Sequence, residues 1–327
     1  MTRWFAAAAR WSPLVLLLLL AAAIPDAGLK GVGPAGSSAS AVDVLPDPDP
    51  ADELPGLVAD HRFGGPLPVP TGETGQPEIG ELATGVAPSP SGPTTYVPIL
   101  LYHYIRVNPN PRDRVGFGLS TPPAMFGAEM QYLADHAYHV VSLHQAVVAI
   151  RNHTTLPSRP VVLTFDDGYT DFFTAAVPIM VSHGFTATDF VITGRMGLPG
   201  FMTPSQVVAA DGLGFDVGAH TVDHVALAAI SPARASWEMR QSQLTLEKLL
   251  GHPVLDFAYP YGSFDAIVRA LAARFGFETA ASTLYGTVHS ADQLMDLSRV
   301  RVGGGVLLST FAHDVGGPPP SAAEVRA

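Results

Sequence analysis

The stretch Arg159-Pro-Val-Val-Leu-Thr-Phe-Asp-Asp-Gly168 decides the fold. Its apolar residues predict a buried strand, which ends in two adjacent carboxylates, Asp166 and Asp167, and a glycine. Active sites of α/β folds form at the carboxyl ends of strands. If the two aspartates leave the strand and enter the turn, both carboxylates can face one cavity in different roles. Taken alone, a solvated Asp-Asp-Gly turn explains the stretch equally well.

A second stretch, Phe215-Asp-Val-Gly-Ala-His-Thr-Val-Asp-His224, also follows a strand-like run. The spacing of His220 and His224 predicts both imidazoles on one side of a single helical turn. Two histidines and one aspartate are a typical ligand set for Zn²⁺. The chain has 12 histidines, so a pair at this spacing is weak evidence by itself.

A third stretch, Phe257-Ala-Tyr-Pro-Tyr-Gly262, has the composition of a rigid turn. Pro260 fixes its own φ angle, and Gly262 permits a tight bend. Such a loop could direct a backbone N–H at a developing oxyanion. An ordinary turn is the alternative, and it is the simpler explanation when this stretch is considered alone.

Together and in this order, the three stretches resemble the motifs of polysaccharide deacetylases with a NodB-homology domain (carbohydrate esterase family 4). The resemblance covers roughly residues 97–312, about two thirds of the chain. Outside the motifs the chain is similar to the subgroup that acts on poly-N-acetylglucosamine-type chains. The residues concerned are Val97-Pro-Ile-Leu-Leu-Tyr-His103 and Leu297-Ser-Arg-Val-Arg-Val302.

The resemblance implies hydrolysis of the N-acetyl amide of N-acetylglucosamine-type residues, with release of acetate. It implies that Asp167, His220 and His224 hold a divalent metal, with Zn²⁺ as the expected ion. Asp166 would act as general base. The backbone N–H of Tyr261 would stabilise the oxyanion. Residues expected to contribute to substrate binding are Pro260, Gly262, His103, Arg299 and His289.

The chain departs from the family pattern at the residue that orients the base. Many members have an arginine where this chain has Ala258. Arg299 or Arg301 could take over that function from another strand. The usual fourth motif also has no clear match around residues 278–283.

The family's late Leu-x-His motif, which supplies the general acid, is not evident either. His289 and His313 are the only histidines late enough in the chain, and a surface position is the alternative for each. His103 is a candidate for the pocket floor, with a hydrogen-bonded core histidine as the alternative.

The N-terminus predicts export. A basic start with Arg3 and Arg10 precedes an apolar run over residues 15–24, which is short for a membrane span of ~20 residues. Residues 1–30 are therefore expected to be a secretory signal, with an uncleaved N-terminal anchor as the alternative. The protein would then be secreted or extracytoplasmic. The absence of cysteine excludes disulfides, thiol chemistry and a lipidated cysteine.

Residues 31–96 are expected to be a disordered linker. They contain 12 of the 30 prolines and nine acidic residues against one basic residue, Arg62. This segment carries −8 of the formal net charge of −11. Such acidity argues against a nucleic-acid partner, and the prolines favour a stiff spacer from a membrane or cell wall.

From residue 97 to 312, apolar runs alternate with helical stretches. This pattern predicts an α/β catalytic domain, a distorted (β/α) barrel with about seven parallel strands, followed by a flexible tail over 313–327. All three motifs follow predicted strands and should share one face of the barrel. Predicted strands are 97–103, 139–143, 161–165, 188–193, 214–219, 255–259, 279–283 and 297–302, and predicted helices are 124–136, 171–183, 203–210, 232–250 and 265–275.

Two other functions compete with deacetylation. A glycan-binding module that has lost catalysis would explain the missing motifs, but it has no reason to keep Asp166 beside a complete metal triad. A phosphatase using the aspartate doublet as nucleophile usually places its two acids two residues apart. Such an enzyme would also not need His220 and His224.

Overall fold

The computed structural model describes residues 89–326. The predicted signal or anchor over 1–30 and most of the predicted linker over 31–96 lie outside the described residues. Within 89–326, no helix has the length and apolar character needed to cross a membrane.

Strands and helices alternate along the described chain. The strands are β1 (Thr94–Tyr96), β2 (Ile99–Tyr102), β3 (His139–Val140), β4 (Pro160–Asp167), β5 (Thr188–Val191), β6 (Asp216–Ala219), β7 (Asp256–Ala258), β8 (Thr279–Ala281), β9 (Val288–Ser290) and β10 (Val300–Arg301). The α-helices are α1 (Arg114–Leu119), α2 (Pro123–Asp135), α3 (Leu143–Asn152), α4 (Val177–His183), α5 (Pro204–Gly212), α6 (Pro232–Leu250), α7 (Ala266–Arg274) and α8 (Leu308–Asp314).

Seven parallel strands form one curled sheet in the order β10-β2-β4-β5-β6-β7-β8, with β3 pairing beside β4. The two ends of the sheet approach each other through Leu297, whose N–H donates to the Ala280 carbonyl at 3.0 Å. Ser282 N–H donates back to the Leu297 carbonyl at 2.8 Å. The predicted distorted barrel of about seven parallel strands is confirmed. Residue 299 belongs to the segment between β8 and β10 that closes the barrel, and it lies on the inner side of the sheet.

The sheet is apolar on both faces, which is why its strands are nearly continuous apolar runs. Phe165, Phe172 and Phe257 belong to a cluster between the sheet and the outer helices. A smaller cluster containing Val162 and Phe190 fills the inside of the curl. Alternate residues of each strand therefore belong to different cores.

Local signals place both ends of α6 where the sequence predicts them. Ser231 Oγ accepts the Arg234 N–H at the start of α6, Pro232 occupies the first turn, and Gly251 ends the helix with φ of 79°. Helix α3 was not predicted, although Ser142 and Gln145 form a capping box at its start. This cap ends the predicted strand 139–143 after two residues.

Both ends of the predicted catalytic domain need correction. Strand β1 lies inside the predicted linker and pairs antiparallel with β9. At the other end, Tyr138 and Tyr132 donate hydroxyl hydrogen bonds to the carbonyls of Val315 and Pro318, at 3.1 and 2.6 Å. The predicted flexible tail is therefore wrong at its start, because Val315 and Pro318 bond to the domain.

Candidate metal and catalytic site

The aspartate doublet lies at the carboxyl end of β4, with both side chains buried. The strand continues through Asp167, whose φ of 85° turns the chain into Gly168. Asp166 lies against a buried arginine, whereas Asp167 lies against two histidines. The two carboxylates thus share one site but have different partners.

Asp167, His220 and His224 converge on one point. The Nε2 atoms of His220 and His224 lie 3.5 and 3.2 Å from Asp167 Oδ1, and all three candidate ligand atoms lie within 4.8 Å of one another. Asp167 Oδ1 is buried and has no hydrogen-bond partner among the described residues. A buried oxygen facing two imidazole nitrogens fits a divalent metal. The structure thus brings the three predicted ligands together.

The outer nitrogen of each ring has a partner of its own. His220 Nδ1 lies 2.7 Å from the Ala258 carbonyl, so it donates there. His224 Nδ1 lies 3.0 Å from the Tyr261 hydroxyl. These contacts fix the ring orientations and leave both Nε2 atoms directed at Asp167.

The charge states also suit a metal. Burial alone would raise the pKa of Asp167, but the neighbouring His224 and His220 lower it well below its usual value. Burial lowers the pKa of His224. An ionised carboxylate beside a neutral imidazole is the protonation state that ligation requires.

The predicted helical turn between the histidines is wrong. His220 follows β6 directly, and residues 221–224 form an irregular loop. Thr221 and His224 have φ of 65° and 58°, a left-handed conformation that residue type does not predict. The Thr221 hydroxyl accepts the His224 N–H at 2.9 Å. The loop still brings the two ring centroids to 4.9 Å.

Glu238 on α6 anchors this loop, although no motif or spacing in the sequence points to it. Its Oε2 accepts the backbone N–H groups of Val222 and Asp223 at 2.9 and 3.0 Å. Its Oε1 receives Arg234 at 2.7 Å. The side chain is fully buried, so a core carboxylate on a helix holds the loop that presents the histidines.

Arg299 holds Asp166 through a two-point ion pair. Its two terminal nitrogens donate to the two Asp166 oxygens, both at 2.7 Å. Its Nε donates to the Ser282 carbonyl at 2.8 Å, and the side chain is buried. Burial alone would raise the pKa of Asp166, but Arg299 lowers it below the ordinary value. Of the two arginines that the sequence offered for this position, Arg299 thus contacts Asp166, while the side chain of Arg301 forms no ion pair in the described chain.

The third motif forms a tight turn beside His224. Tyr261 has φ of 59°, and no acceptor within residues 89–326 faces its backbone N–H. Pro260 and Gly262 are buried, so they shape this turn rather than present a surface to substrate. At Gly262 a Cβ atom would lie 2.1 Å from Thr283 Oγ1. The turn therefore leaves one N–H donor free next to the candidate metal site.

The three remaining candidate histidines, His103, His289 and His313, lie in different surroundings. His103 lies close enough to Asp166 and Asp167 to feel their charges, and its Nδ1 is buried without a partner in the described chain. Burial lowers its pKa to about 4, so the ring is neutral. His289 was expected to contribute to substrate binding, which is wrong because it is 1% exposed and contacts the Val97 carbonyl. His313 is exposed on α8, as the alternative for it stated.

Comparison with known proteins gives the same picture. Residues 136–280 match the family profile described as Polysaccharide deacetylase. A Bacillus subtilis protein, YxkH, provisionally named a polysaccharide deacetylase, is 26% identical over 261 residues, which cover 77% of this chain and 90% of that protein.

Two solved structures extend the likeness to the fold. The Streptococcus pyogenes deacetylase PplD in complex with acetate has a TM-score of 0.64 and 29% identity, covering 68% of this chain and 99% of that chain. The polysaccharide deacetylase BC0361 from Bacillus cereus has a TM-score of 0.60 and 26% identity, covering 68% and 69%.

The curled half-barrel with its motifs at one strand edge defines a NodB-type deacetylase fold. Residues 136–280 thus match a polysaccharide deacetylase domain, and the similar proteins and the fold indicate an amide hydrolase. The predicted family and fold are therefore confirmed.

Proposed function

We propose that this protein is a metal-dependent enzyme that removes N-acetyl groups from N-acetylglucosamine-type residues of an extracytoplasmic polysaccharide and releases acetate. The observation that carries the proposal is that the two aspartates at the end of β4 have different partners. Asp167 faces two imidazoles, whereas Asp166 is held by one guanidinium. The match of residues 136–280 to the polysaccharide deacetylase profile supports the same reaction.

Asp167, His220 and His224 would hold the metal through one carboxylate oxygen and two Nε2 atoms. This donor set suits Zn²⁺, and the same set also binds Co²⁺ and Ni²⁺. When bound, the ion supplies acidification of a water molecule and polarisation of the acetamide carbonyl.

Asp166 serves as the general base. Arg299 keeps its pKa below the ordinary value, so the carboxylate is ionised at neutral pH and can accept the proton of the attacking water. Tyr261 contributes its free backbone N–H, which donates to the oxyanion formed from the acetamide carbonyl. Arg299 fixes the direction of the base by binding both of its oxygens.

His103 is the residue proposed to protonate the leaving amine. The sequence offered His289 and His313 for this role and His103 only for the pocket floor, but it is His103 that lies near Asp166 and Asp167 with an unpaired ring nitrogen in the described chain. Burial keeps its ring neutral at rest, so it would relay a proton during turnover rather than store one. The proton that Asp166 takes from water balances the one that the sugar amine gains when the C–N bond breaks.

An extracytoplasmic polymer is proposed because the chain begins like an exported protein, with basic residues and then the apolar run over 15–24. The acidic, proline-rich residues 31–96 would space the domain from a membrane or wall. The N-acetylated polysaccharide is the proposed partner, and a nucleic acid is not.

The test measures bound metal and released acetate for the full chain as wild type, Asp166→Asn and His220→Ala. Chito-oligosaccharides and peptidoglycan serve as substrates. We expect metal and acetate release in the wild type, and loss of both in His220→Ala. Asp166→Asn should keep the metal and lose roughly 10³-fold in kcat. Unchanged turnover in Asp166→Asn would overturn the assignment of the base.

A catalytically weak or inactive glycan-binding protein on the same fold is the competing function, because the family's late histidine motif has no counterpart. Metal binding without acetate release from any N-acetylated glycan would favour it. The intact pairing of Asp166 with Arg299 argues for the enzyme.

A further inference from the structure

The two candidate histidine ligands are held to different degrees. His220 directly follows β6, its backbone N–H donates to the Val191 carbonyl at 3.0 Å, and its ring donates to the Ala258 carbonyl. His224 ends the loop over residues 221–224, and its side chain is 12% exposed, against 2% for His220. The sheet therefore fixes His220, whereas the position of His224 depends on the loop.

The turn that follows β5 pins the first half of this loop. Thr193 N–H donates to the Thr221 carbonyl at 3.1 Å, and Gly194 N–H donates to the Val222 carbonyl at 3.0 Å. A Cβ atom on Gly194 would lie 2.6 Å from the same Val222 oxygen, so the two backbones are in close contact. Within the described chain, no backbone–backbone hydrogen bond holds residues 223–224. The second half of the loop therefore depends on side chains.

Arg234, in the first turn of α6, joins the side chains that support this second half. Its Nη2 atom donates to Asp223 Oδ2 and, at 2.7 Å, to Glu238 Oε1. Its Nε atom donates to the same Glu238 oxygen at 3.0 Å. The other Glu238 oxygen accepts the backbone N–H groups of Val222 and Asp223. Asp223 is thus held by its side chain and by its backbone, and Arg234 connects the two contacts.

The surroundings of Arg234 make its contact with Asp223 stronger than an ordinary surface pair. The side chains of Arg234 and Asp223 are 33% and 50% exposed, so an isolated pair would contribute little. Here, however, Glu238 is fully buried and already orients the guanidinium. The guanidinium carbon also lies 4.5 Å from the centre of the Trp237 ring, within cation–π range. Asp223 therefore meets a cation whose position is set in advance.

We propose that Arg234 is a positioning residue of the candidate metal site, which places His224 through Asp223 and Glu238 and so determines how long a bound metal stays. The inference rests on the proposed function for the metal, whereas the loop contacts belong to the metal-free chain. Without Arg234, the sheet still holds His220 but the outer ligand loses its support. The metal should then leave faster, because one of its three ligands moves away more often.

The first measurement uses the metal-free full chain as wild type, Arg234→Met, Asp223→Asn and Arg240→Met. Arg240 lies on the same helix and donates to Gln243, so its variant removes a helix arginine without breaking a bond to the loop. Hydrogen exchange read by mass spectrometry reports the protection of the amides of residues 221–224 relative to the strands. We expect about tenfold faster exchange of this loop in Arg234→Met, a smaller increase in Asp223→Asn and none in Arg240→Met.

The second measurement loads the same proteins with Co²⁺ and times its loss to a chelator. The visible absorption of Co²⁺ follows the arrangement of its ligands, so it reports a displaced His224 directly. Arg234→Met should lose the ion roughly tenfold faster and Asp223→Asn several-fold faster, while Arg240→Met should behave like the wild type. The double variant of Arg234 and Asp223 should lose the ion more slowly than the two single effects combined predict, because both remove the same contact.

Unchanged Co²⁺ loss and an unchanged spectrum in Arg234→Met would overturn this proposal and leave the proposed function standing. Exchange that accelerates equally in the loop and in the strands would overturn it as well, because the arginine would then support the fold in general. If the wild type binds no metal, the proposed function fails, and exchange alone tests Arg234. Faster exchange confined to residues 221–224 would then support its positioning role, and unchanged exchange would overturn it.

Discussion

Asp166 and Asp189 lie on neighbouring strands of one sheet, and both are buried, at 3% and 1% exposure. Asp166 receives two hydrogen bonds from Arg299, which outweigh burial and lower its pKa. Neither oxygen of Asp189 has a hydrogen-bond partner in the described chain. Burial, together with Asp166 and Asp167, raises the pKa of Asp189 well above its usual value. Burial alone therefore yields a neutral acid, whereas a buried cation keeps the carboxylate ionised.

The difference follows from the faces of the sheet. Asp166 is in register with Phe190 of the inner cluster, whereas Asp189 is in register with Phe165 of the outer cluster. Arg299 belongs to the segment between β8 and β10 that closes the barrel, and its side chain lies on the inner side of the sheet, beside Asp166. The outer face is covered by helices, where Asp189 meets no cation within ion-pair distance among the described residues.

Replacing Arg299 by methionine should remove the difference between the two aspartates, because Asp166 would then be buried without a cation, as Asp189 is. We expect kcat/KM to fall by about 10³-fold, because the base is left buried without its cation and its pKa rises. The acid limb of the pH–rate profile should move to higher pH. In the wild type this limb lies below the ordinary aspartate range, since loss of activity requires protonation of a carboxylate with a lowered pKa.

Arg299→Lys is the matched control for this change. It keeps the charge but loses the two-point contact, so its activity should lie between the other two. Circular dichroism and metal content must stay near wild type in both variants for the comparison to hold. An unshifted acid limb in Arg299→Met would show that Asp166 is not the titrating base.

Glu238 extends the comparison to a buried carboxylate that acts through backbone N–H groups. Glu238→Ala should lower metal affinity by roughly 10- to 100-fold, because the loop from Val222 to His224 loses its anchor. Glu238→Gln should lose less, since its amide oxygen can still accept both N–H groups. Competition with a chelator measures the affinity. Equal affinities in wild type and Glu238→Ala would show that the loop holds its shape alone.

Sequence analysis identified the candidate metal and catalytic side chains better than the residues that hold them in place. The motifs led to Asp166, Asp167, His220 and His224, which the structure brings together, because each motif comes at the end of a short apolar run. The helical turn predicted between the histidines was wrong, because the left-handed residues of this loop are not glycines. The arginine could not be chosen, since Arg299 and Arg301 both belong to the same segment and only barrel closure decides which faces Asp166. Glu238 comes from a distant element, α6, without a local pattern.

The edges of the fold were missed for a related reason. Strands β1 and β9 have three residues each, too few to show a period of two. Their pairing joins positions almost 200 residues apart, such as Thr95 and His289. Only the folded domain reveals that His289 is a core residue of this pair.

Glu129 is a further buried carboxyl group on the outer side of the sheet. Like Asp189 it is a neutral acid, but it has a hydrogen-bond partner. Burial raises its pKa to about 8, and the Tyr102 hydroxyl donates to it at 2.9 Å. Because the folded state holds this proton more tightly than the unfolded chain, its contribution to stability is complete below about pH 4 and declines as the pH rises to about 8. Between pH 6.5 and 8 the wild type should lose about 2 kcal/mol of unfolding free energy from this group.

Glu129→Gln should remove that decline, because an amide does not titrate. Urea unfolding of the metal-free proteins at pH 6.5 and pH 8 measures the difference within each protein, so any constant cost of the substitution cancels. A wild-type slope that persists in Glu129→Gln would assign the pH dependence to another group.

The smallest effect is expected at Asp189, where the substitution Asp189→Asn replaces one neutral group by another of the same shape. At pH 7 unfolding free energy should change by less than about 1 kcal/mol, and kcat/KM should stay within about twofold, because no charge or hydrogen bond to the described chain is lost. The same substitution at Asp166 should lower kcat by roughly 10³-fold. If Asp189→Asn instead cost activity as severely, Asp189 would be ionised in the folded protein, and burial without a cation would be enough to keep a carboxylate charged in this sheet.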